Sequence, residues 1–272
     1  MTPHSNQLVS AATSSSDDDY VTLCKTVKRQ TGIDLMQYKR PQMERRLRSF
    51  YASRGITDLA EAAVNLTTDK QQLDALLDRI TINVSQLWRN PEQWKTIEKV
   101  LLPDLAASTQ LRAWSAGCSY GAEAYTLATL CKLAIPAVKV TITGTDIDKR
   151  MIERARLGNF SEDDARSAPQ EQLRSGFDRI EGGWRAKLAL RSMTRFDVGD
   201  LLHIKLRSGC HDLILCRNTV IYFAEPIRDE LHWRMAQSLR PGGYLVVGST
   251  ELVSSPAKIG LTSVHPFIYK KI

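Results

Sequence analysis

Two glycines and an aspartate have the types and spacing of a nucleotide-binding site. Gly117 and Gly121 follow an apolar run at residues 111–116 and precede a helical pattern, and a second strand-like run, 138–145, ends in Asp146. Glycines let a backbone approach a ligand closely, and an acid at the end of the next strand can accept hydrogen bonds from ribose hydroxyls. The GxxxG spacing is looser than GxGxxG, so it favours S-adenosylmethionine, which has no pyrophosphate, over a dinucleotide.

Two other polar segments are candidates for the same site. The segment at residues 83–89 reads Asn-Val-Ser-Gln-Leu-Trp-Arg, and the segment 197–202 contains Asp200, which could accept a hydrogen bond from the exocyclic amine of adenine. Each segment also has a structural interpretation. The first could be a polar linker with a buried Trp, and the second could be a turn. Asp146 could likewise simply cap the next helix.

A third candidate follows a buried strand. Residues 213–216 are apolar, and the chain then continues into Arg217, Asn218 and Tyr222. In open α/β sheets the ligand crevice lies at the carboxyl ends of the strands, which is where these side chains would fall. We interpret Phe223 as core.

The elements that must position these residues differ between the two parts of the chain. Residues 20–80 predict about four short helices, the second opened by Pro41 and stopped by Gly55. Beyond them, strand-like runs alternate with helical patterns, which indicates a parallel sheet flanked by helices. The runs are 111–115, 138–145, 195–198, 211–216, 244–249 and 264–270. The segment 182–196 breaks the alternation and predicts a small antiparallel insert.

The composition is that of a globular protein of the cytoplasm. The chain has 272 residues, 43% of them hydrophobic and 25% charged, and it has no run long enough to span a membrane and no signal-peptide pattern. Its five cysteines, at 24, 118, 131, 210 and 216, have no ligand-like spacing. We expect reduced cysteines, no metal site and no membrane insertion.

Positive charge is concentrated near the amino terminus. Residues 25–54 contain nine basic and two acidic residues. The net charge of this segment is therefore +7, the same as the net charge of the whole chain. Such a surface attracts a polyanion or an acidic protein surface. Arg45 and Arg48 lie on a different face of the second helix from its apolar stripe of Met43, Leu47 and Phe50 with Tyr51.

Taken in order, the motifs resemble the CheR-type chemotaxis receptor methyltransferases. The resemblance extends from about Tyr20 to Tyr269. It is carried by the patterns Thr31-Gly32-Ile33-Asp34-Leu35, Tyr38-Lys39, Arg45-Arg46-Leu47, Gly117-Cys118-Ser119, Asp146-Ile147-Asp148 and Cys216-Arg217-Asn218-Thr219-Val220-Ile221-Tyr222-Phe223. That family transfers a methyl group from S-adenosylmethionine to glutamate side chains on the cytoplasmic helices of chemoreceptors and releases S-adenosylhomocysteine.

The resemblance implies a fold and a domain organisation. The expected fold is α/β, a Rossmann-like doubly wound, mostly parallel sheet of the class I S-adenosylmethionine methyltransferases with a small antiparallel β insert, preceded by a small all-α domain. We place a disordered tail at 1–18, a basic receptor-docking domain at 19–82, a linker that contributes to the cofactor site at 83–92 and the methyltransferase domain at 93–272.

The resemblance also assigns roles to individual residues. The implied cofactor-binding residues are Asn83, Ser85, Arg89, Gly117, Glu123, Asp146, Asp200, Leu201 and Asn218. Glu123 would contact the methionine end, Asp146 the ribose, and Asp200 with Leu201 the adenine. Arg89 and Tyr222 would lie near the transferable methyl as catalytic residues. The implied receptor-docking residues are Arg45, Arg46 and Arg48.

Five positions depart from the family pattern, because the usual Thr-Gly-Glu-Glu-Pro-Tyr also becomes Tyr120-Gly121-Ala122-Glu123-Ala124-Tyr125. Ser85 stands where Thr is usual and Asp200 where Asn is usual, and each retains the polar group. Tyr120 introduces a bulky side chain into the glycine turn, where it is expected to reshape the cofactor pocket.

Two other functions are compatible with the sequence. An RNA methyltransferase would use the basic helices to grip phosphates, although these helices lack an aromatic platform for single strands. A non-catalytic S-adenosylmethionine-binding signalling module would share the fold, with Tyr120 blocking productive binding. We expect a chemoreceptor helical bundle as partner and no nucleic acid.

Overall fold

The chain divides into two compact units. In a computed structural model of the protein, residues 8–80 and 85–272 are described, residues 8–17 by their backbone only. The first unit comprises Met1–Ile82 with Tyr222–Ala224, and the second comprises Asn83–Ile221 with Glu225–Ile272. Three residues that are distant in sequence therefore belong to the amino-terminal unit.

The first unit is helical in its described residues. Its α-helices are α1 (Leu8–Thr31), α2 (Arg40–Ala52), α3 (Leu59–Thr68) and α4 (Lys70–Ile80), with a short 3-10 helix at Leu35–Gln37. Pro41 lies in the first turn of α2, where a missing N–H costs nothing. Met43, Leu47, Phe50 and Tyr51 are buried, as the apolar stripe predicts.

The first helix is longer than the sequence suggests. The sequence predicts a disordered tail over residues 1–18, but α1 begins at Leu8, so the prediction is wrong for residues 8–18. Extending an existing helix needs no new nucleus, so Ser and Thr residues can join one that is already formed. Residues 1–7 lie outside the described part of the chain.

The second unit is built on a seven-stranded sheet. The strands of this unit are β1 (Gln110–Ala116), β2 (Lys139–Asp146), β3 (Asn159–Ser161), β4 (Phe177–Ile180), β5 (Gly183–Ala186), β6 (Thr194–Val198), β7 (His211–Cys216), β8 (Leu239–Val247), β9 (Leu261–His265) and β10 (Ile268–Lys271). The large sheet has the order β6-β2-β1-β7-β8-β10-β9. Its first five strands are parallel, and β10 is antiparallel to both neighbours. This is the expected mostly parallel sheet.

Helices connect the parallel strands. The α-helices of this unit are α5 (Pro91–Thr96), α6 (Leu102–Leu105), α7 (Ala122–Ala134), α8 (Lys149–Leu157), α9 (Glu162–Ala165), α10 (Gln170–Gly176), α11 (Leu188–Arg191) and α12 (Glu225–Ser238). A π-helical turn, Ile97–Leu101, joins α5 to α6, and 3-10 turns lie at Val220–Tyr222 and Pro256–Ile259. Helix α7 leads from β1 to β2, so the glycine turn lies between a central strand and its crossover helix.

The antiparallel insert exists, but its predicted bounds are wrong. The small sheet has the order β3-β5-β4 and therefore spans residues 159–186 rather than 182–196. Of the predicted segment only β5 belongs to it, because Leu188–Arg191 is helical and β6 is the edge strand of the large sheet. Leu190 and Met193 are three residues apart, a spacing that also fits a helical turn, so this short stretch is ambiguous from sequence.

The last strands also differ from the sequence pattern. The single run predicted at 264–270 forms parts of two antiparallel strands, β9 and β10. Strand β8 starts at Leu239, and its register against β7 shifts between His211 and Leu213, so the Pro-Gly-Gly segment forms an irregularity within the strand. No helix among the described residues is long and apolar enough to cross a membrane.

Candidate cofactor and active site

The glycine turn has the backbone that only glycine adopts easily. Gly117 and Gly121 have φ of +74° and +85°, and the Gly117 and Cys118 amides donate to the Thr145 carbonyl at 2.8 and 3.0 Å. A Cβ on Gly117 would lie 2.5 Å from Oγ1 of Thr219. The turn after β1 is therefore closed against both the end of β2 and the loop after β7.

Asp146 is held at the carboxyl end of β2 by backbone amides. The Ser119 N–H donates to its Oδ2 at 2.7 Å and the Asp148 N–H to its Oδ1 at 2.9 Å. Burial raises the pKa of this carboxyl, while the two amides act in the opposite direction. A carboxylate has about four acceptor sites, so it can still accept hydrogen bonds from ribose hydroxyls.

Asp200 follows the edge strand β6, and its carboxylate contacts residues of its own turn. Its Oδ1 accepts from the Leu202 amide at 2.9 Å, and its Oδ2 lies 2.6 Å from Nδ1 of His203. Leu201 is buried. The Gly199 amide donates to the Asp146 carbonyl at 2.9 Å, so the start of this turn lies beside the end of β2.

Glu123 and Arg217 form a buried ion pair. The Ser115 hydroxyl donates to Oε1 of Glu123 at 2.6 Å, and Nη1 of Arg217 lies 3.3 Å from Oε2. Burial raises the pKa of the Glu123 carboxyl, and the Arg217 guanidinium opposes that shift. Burial also lowers the pKa of Arg217, which is 3% exposed. The pair joins the end of β7 to the first turn of α7.

The rest of the Arg217 guanidinium organises the segment before α5. Its Nε donates to Oε1 of Gln93 at 2.7 Å, and its Nη2 donates to the Arg89 carbonyl at 2.6 Å and to Oδ1 of Asn90 at 3.3 Å. Its carbon Cζ lies 4.9 Å from the centroid of a Trp94 ring. Arg217 thus fixes the backbone that carries the predicted catalytic residue Arg89.

A second buried carboxylate positions Asn218. Glu251, 3% exposed, accepts hydrogen bonds from the amides of Gly248 at 2.6 Å, Asn218 at 2.9 Å and Ile221 at 3.3 Å. Asn218 has φ of +58°, a conformation that needs external support in a non-glycine residue. Burial raises the pKa of Glu251, and its amide partners lower it.

The other predicted site residues lie in two places. Ser85 is half-buried, and its carbonyl accepts from the Tyr120 hydroxyl. Asn83 lies outside the described residues. Tyr222 belongs to the first unit, where Cζ of Arg46 lies 5.0 Å from the centroid of its ring. Its carbonyl accepts from the Lys39 amide at 2.9 Å.

The three predicted docking arginines differ in exposure and pairing. Arg45 is exposed, whereas Arg46 and Arg48 are half-buried. Arg48 forms an ion pair with Glu44 at 2.6 Å, and Glu44 also pairs with Arg40 at 3.3 Å. Arg45 and Arg48 line one groove of α2, as their spacing predicts.

Three residues that have no role predicted from the sequence complete this site. The sequence places Arg217 at the strand end without giving it a role, and it does not single out Gln93 or Glu251. The position of Arg217 directly after a fully apolar strand is the signal that placed it at the strand end. Gln93 and Glu251 carry no comparable signal, because their burial depends on strands that are distant in sequence.

The residues present fit S-adenosylmethionine. The cradle after β1 closes only around glycine at position 117, Asp146 retains acceptor capacity, and the buried carboxylate of Glu123 suits an amino group. Among the described residues there is no group of three or more His, Cys, Asp or Glu side chains that could hold a metal ion.

The fold and the site define an S-adenosylmethionine-dependent methyltransferase of class I. Residues 83–266 match the CheR methyltransferase SAM binding domain, and residues 18–81 match the CheR methyltransferase all-alpha domain. The chain belongs to the CheR methyltransferase family, so the predicted family, fold class and cofactor are confirmed.

Individual relatives agree with this result. A chemotaxis protein methyltransferase of Listeria innocua is 34% identical over 257 residues, which are 94% of this chain and 98% of that protein. Chemotaxis protein methyltransferase 1 of Pseudomonas aeruginosa is 28% identical, over 89% of this chain and 93% of that protein. Among solved structures, an S-adenosylmethionine-dependent methyltransferase from Mesorhizobium loti is 20% identical over 51% of this chain and 46% of its own, with a TM-score of 0.31.

Proposed function

We propose that the protein transfers the methyl group of S-adenosylmethionine to glutamate side chains on the cytoplasmic helices of chemoreceptors. The observation that carries the proposal is that one chain joins a CheR all-alpha domain, with a basic helix α2, to a CheR SAM binding domain. The products are a glutamyl methyl ester and S-adenosylhomocysteine. Each methylation removes one negative charge from a receptor helix, which changes repulsion between neighbouring helices.

Binding of the cofactor uses the residues that the strand ends assemble. In this proposal Asp146 accepts hydrogen bonds from the ribose hydroxyls. Glu123 binds the amino group of the methionine portion, and Asn218 supports that portion. Asp200 and Leu201 contact the adenine, and Gly117 with the polar residues Asn83 and Ser85 lines the cofactor site. When bound, the cofactor supplies an electrophilic methyl group on a sulfonium sulfur.

The chain needs no general base for this reaction. A glutamate carboxylate with an ordinary pKa of about 4.3 is already ionised at neutral pH. The remaining work is to position the carboxylate and remove water from it, and good alignment contributes about 7 kcal/mol or more to such a step. We propose that Arg89 holds a carboxylate and that Tyr222 orients the nucleophile.

Docking of the substrate is proposed to use charge. Arg45, Arg46 and Arg48 on α2 would face an acidic receptor helical bundle, since complementary charge raises the rate of encounter. Because this interaction is with a protein, RNA is not expected to accept the methyl group. The site of action is expected to be the cytoplasm, where those receptor helices lie.

A label-transfer experiment tests this function. The full-length protein is incubated with methyl-labelled S-adenosylmethionine and a chemoreceptor cytoplasmic fragment, with a total-RNA sample in parallel. Label on the receptor that base releases as volatile methanol identifies a glutamyl methyl ester. Label on RNA instead, or cofactor binding without any transfer, would contradict the proposal. Retention of full turnover by both Arg89→Ala and Tyr222→Phe would contradict the two catalytic roles.

A further inference from the structure

Tyr120 is buried within the glycine turn and contacts two other elements. Its side chain is 3% exposed. The guanidinium carbon of Arg154, on α8, lies 3.8 Å from the centroid of its ring. The ring of Phe160, on β3, lies with its centroid 6.1 Å away. The ring therefore packs against the small sheet and the helix after β2, and its position is fixed by both.

The Tyr120 hydroxyl reaches the segment that precedes α5. It donates to the Ser85 carbonyl and lies 2.8 Å from Oδ1 of Asp164. Asp164 is itself held, because its Oδ2 accepts from the Ser161 amide at 2.8 Å and from Nη2 of Arg154 at 2.6 Å. Tyr120, Asp164 and Arg154 thus form one connected group, which we call the Tyr120 cluster.

The same cluster holds the segment at a second point. The Leu87 amide donates to the Asp164 backbone carbonyl at 2.9 Å. Further along, the Trp88 amide donates to Oγ1 of Thr126 at 3.1 Å, and Arg217 donates to the Arg89 carbonyl. The Tyr120 cluster therefore restrains residues 85–87, and other side chains restrain residues 88–90.

This segment needs such restraint because its backbone is strained. Trp88 and Asn90 have φ of +54° and +59°, in the left-handed region. Non-glycine residues in that region cost about 1–3 kcal/mol each and persist only where surrounding contacts over-determine them. A contact that fixes Ser85 and Leu87 therefore limits the conformations available to the residues that follow, including Arg89.

We propose that Tyr120 is a positioning residue for the cofactor site, whose hydroxyl holds the segment 85–89 in its binding conformation. The inference rests on the proposed function in that Ser85 and Arg89 are taken to contact the cofactor. It stands against the alternative in which Tyr120 blocks productive binding of the cofactor. Positioning and obstruction predict opposite changes in affinity for the cofactor when the Tyr120 hydroxyl is removed.

Tyr125 provides a matched control for the hydroxyl. It is also buried, it lies five residues further along the same turn and helix, and its ring also contacts Phe160. Its hydroxyl donates to the Ala155 carbonyl on α8, at 3.0 Å, rather than to the segment 85–90. Tyr120→Phe and Tyr125→Phe thus each remove one buried hydroxyl, but only the first removes a hydrogen bond to the segment.

The affinity for S-adenosylhomocysteine is measured by calorimetry for the wild type and both variants. We expect Tyr120→Phe to raise the dissociation constant about tenfold, as for loss of one buried hydrogen bond that supports a site, and Tyr125→Phe to raise it less than about twofold. Equal affinity of Tyr120→Phe and the wild type would overturn the proposal. Tighter binding by Tyr120→Phe would also overturn it and would favour obstruction.

Amide hydrogen exchange of the ligand-free protein gives a readout that is independent of the cofactor. Residues 85–90 should exchange faster in Tyr120→Phe, and they should exchange at the wild-type rate in Tyr125→Phe even if both variants lose thermal stability. Unchanged exchange in Tyr120→Phe would overturn the positioning role. Failure of the wild type to bind S-adenosylhomocysteine would instead contradict the proposed function, and the exchange measurement would still report on Tyr120.

Discussion

At the scale of single residues, Arg217 links several parts of the candidate site, although no role for it there is predicted from the sequence. Its guanidinium contacts Glu123, Gln93 and the backbone of the segment 89–90. A planar group with five donors can bond to several acceptors at once, which a lysine ammonium cannot do with the same geometry. Removing one partner from such a buried network leaves other polar groups unsatisfied.

We therefore predict that Arg217→Lys lowers the free energy of unfolding by about 2–3 kcal/mol and weakens cofactor binding, because the lysine preserves the charge but not the fork of donors. Urea unfolding and calorimetry with S-adenosylhomocysteine measure the two effects. Arg228→Lys is the control, since Arg228 pairs with Asp229 at 3.0 Å near the surface. Equal losses in the two variants would show that the buried network adds no stability.

At the scale of elements, the turn after β1 and the loop after β7 approach closely. The contact between Gly117 and Thr219 leaves no room for a Cβ. Gly32 has a similar φ of +80°, but no atom of the described residues lies within 4 Å of the position that its Cβ would take, so it experiences the backbone constraint alone. Comparing the two glycines therefore distinguishes the cost of a clash at Cβ from the cost of positive φ.

We predict that Gly117→Ala destabilises the protein by about 2–4 kcal/mol, whereas Gly32→Ala costs about 1 kcal/mol from positive φ. Adding Thr219→Ala to Gly117→Ala removes the atoms that clash and should recover most of the difference. Thermal and urea unfolding of the three variants measures these values. If Gly117→Ala costs no more than Gly32→Ala, the close approach of the two loops is not a constraint.

At the scale of the whole molecule, two buried histidines determine part of the response to pH. Burial lowers the pKa of His211 and His232 to about 4. Both ring nitrogens of His232 lack a hydrogen-bond partner among the described residues. An unfolded histidine has a pKa of about 6.5, so between pH 6.5 and 4 the unfolded state binds protons that the native state does not. The free energy of unfolding therefore decreases as the pH is lowered through this range.

We predict that His232→Leu removes part of this dependence. The loss of unfolding free energy between pH 7.5 and 5 should be smaller by about 2 kcal/mol in the variant than in the wild type. Urea unfolding at the two pH values gives the comparison, with His265→Leu as the control at a half-buried position. A wild-type pH dependence in His232→Leu would show that this ring does not remain neutral in the folded protein.

The distribution of charge leads to a prediction about the substrate. Arg45→Glu should lower kcat/KM for receptor methylation about three- to tenfold at low salt, with less effect at high salt, because it weakens electrostatic attraction. The dissociation constant of the cofactor should not change. Arg207→Glu makes the same change in net charge at an exposed position of the second unit. An equal effect of both variants would point to net charge rather than to a docking surface on α2.

The sequence by itself determined the fold class and which residues lie at the carboxyl ends of the central strands. Apolar runs that end in Gly117, Asp146 or Arg217 are local patterns, because a parallel strand buried on both faces must be apolar and its ligand-binding residues must follow its carboxyl end. The stripe of Met43, Leu47 and Phe50 likewise predicts α2, since helical periodicity needs no long-range information.

Only the tertiary structure decided which side chains complete the site. Glu251 supports Asn218, and Gln93 meets Arg217, across 33 and 124 residues of sequence. Such contacts depend on strand order and on the path of loops, which no local pattern encodes. Tyr120 is the clearest case. In the sequence it is a bulky residue in a glycine turn, and in the fold its hydroxyl meets the Ser85 carbonyl because β3, α8 and the segment before α5 converge there.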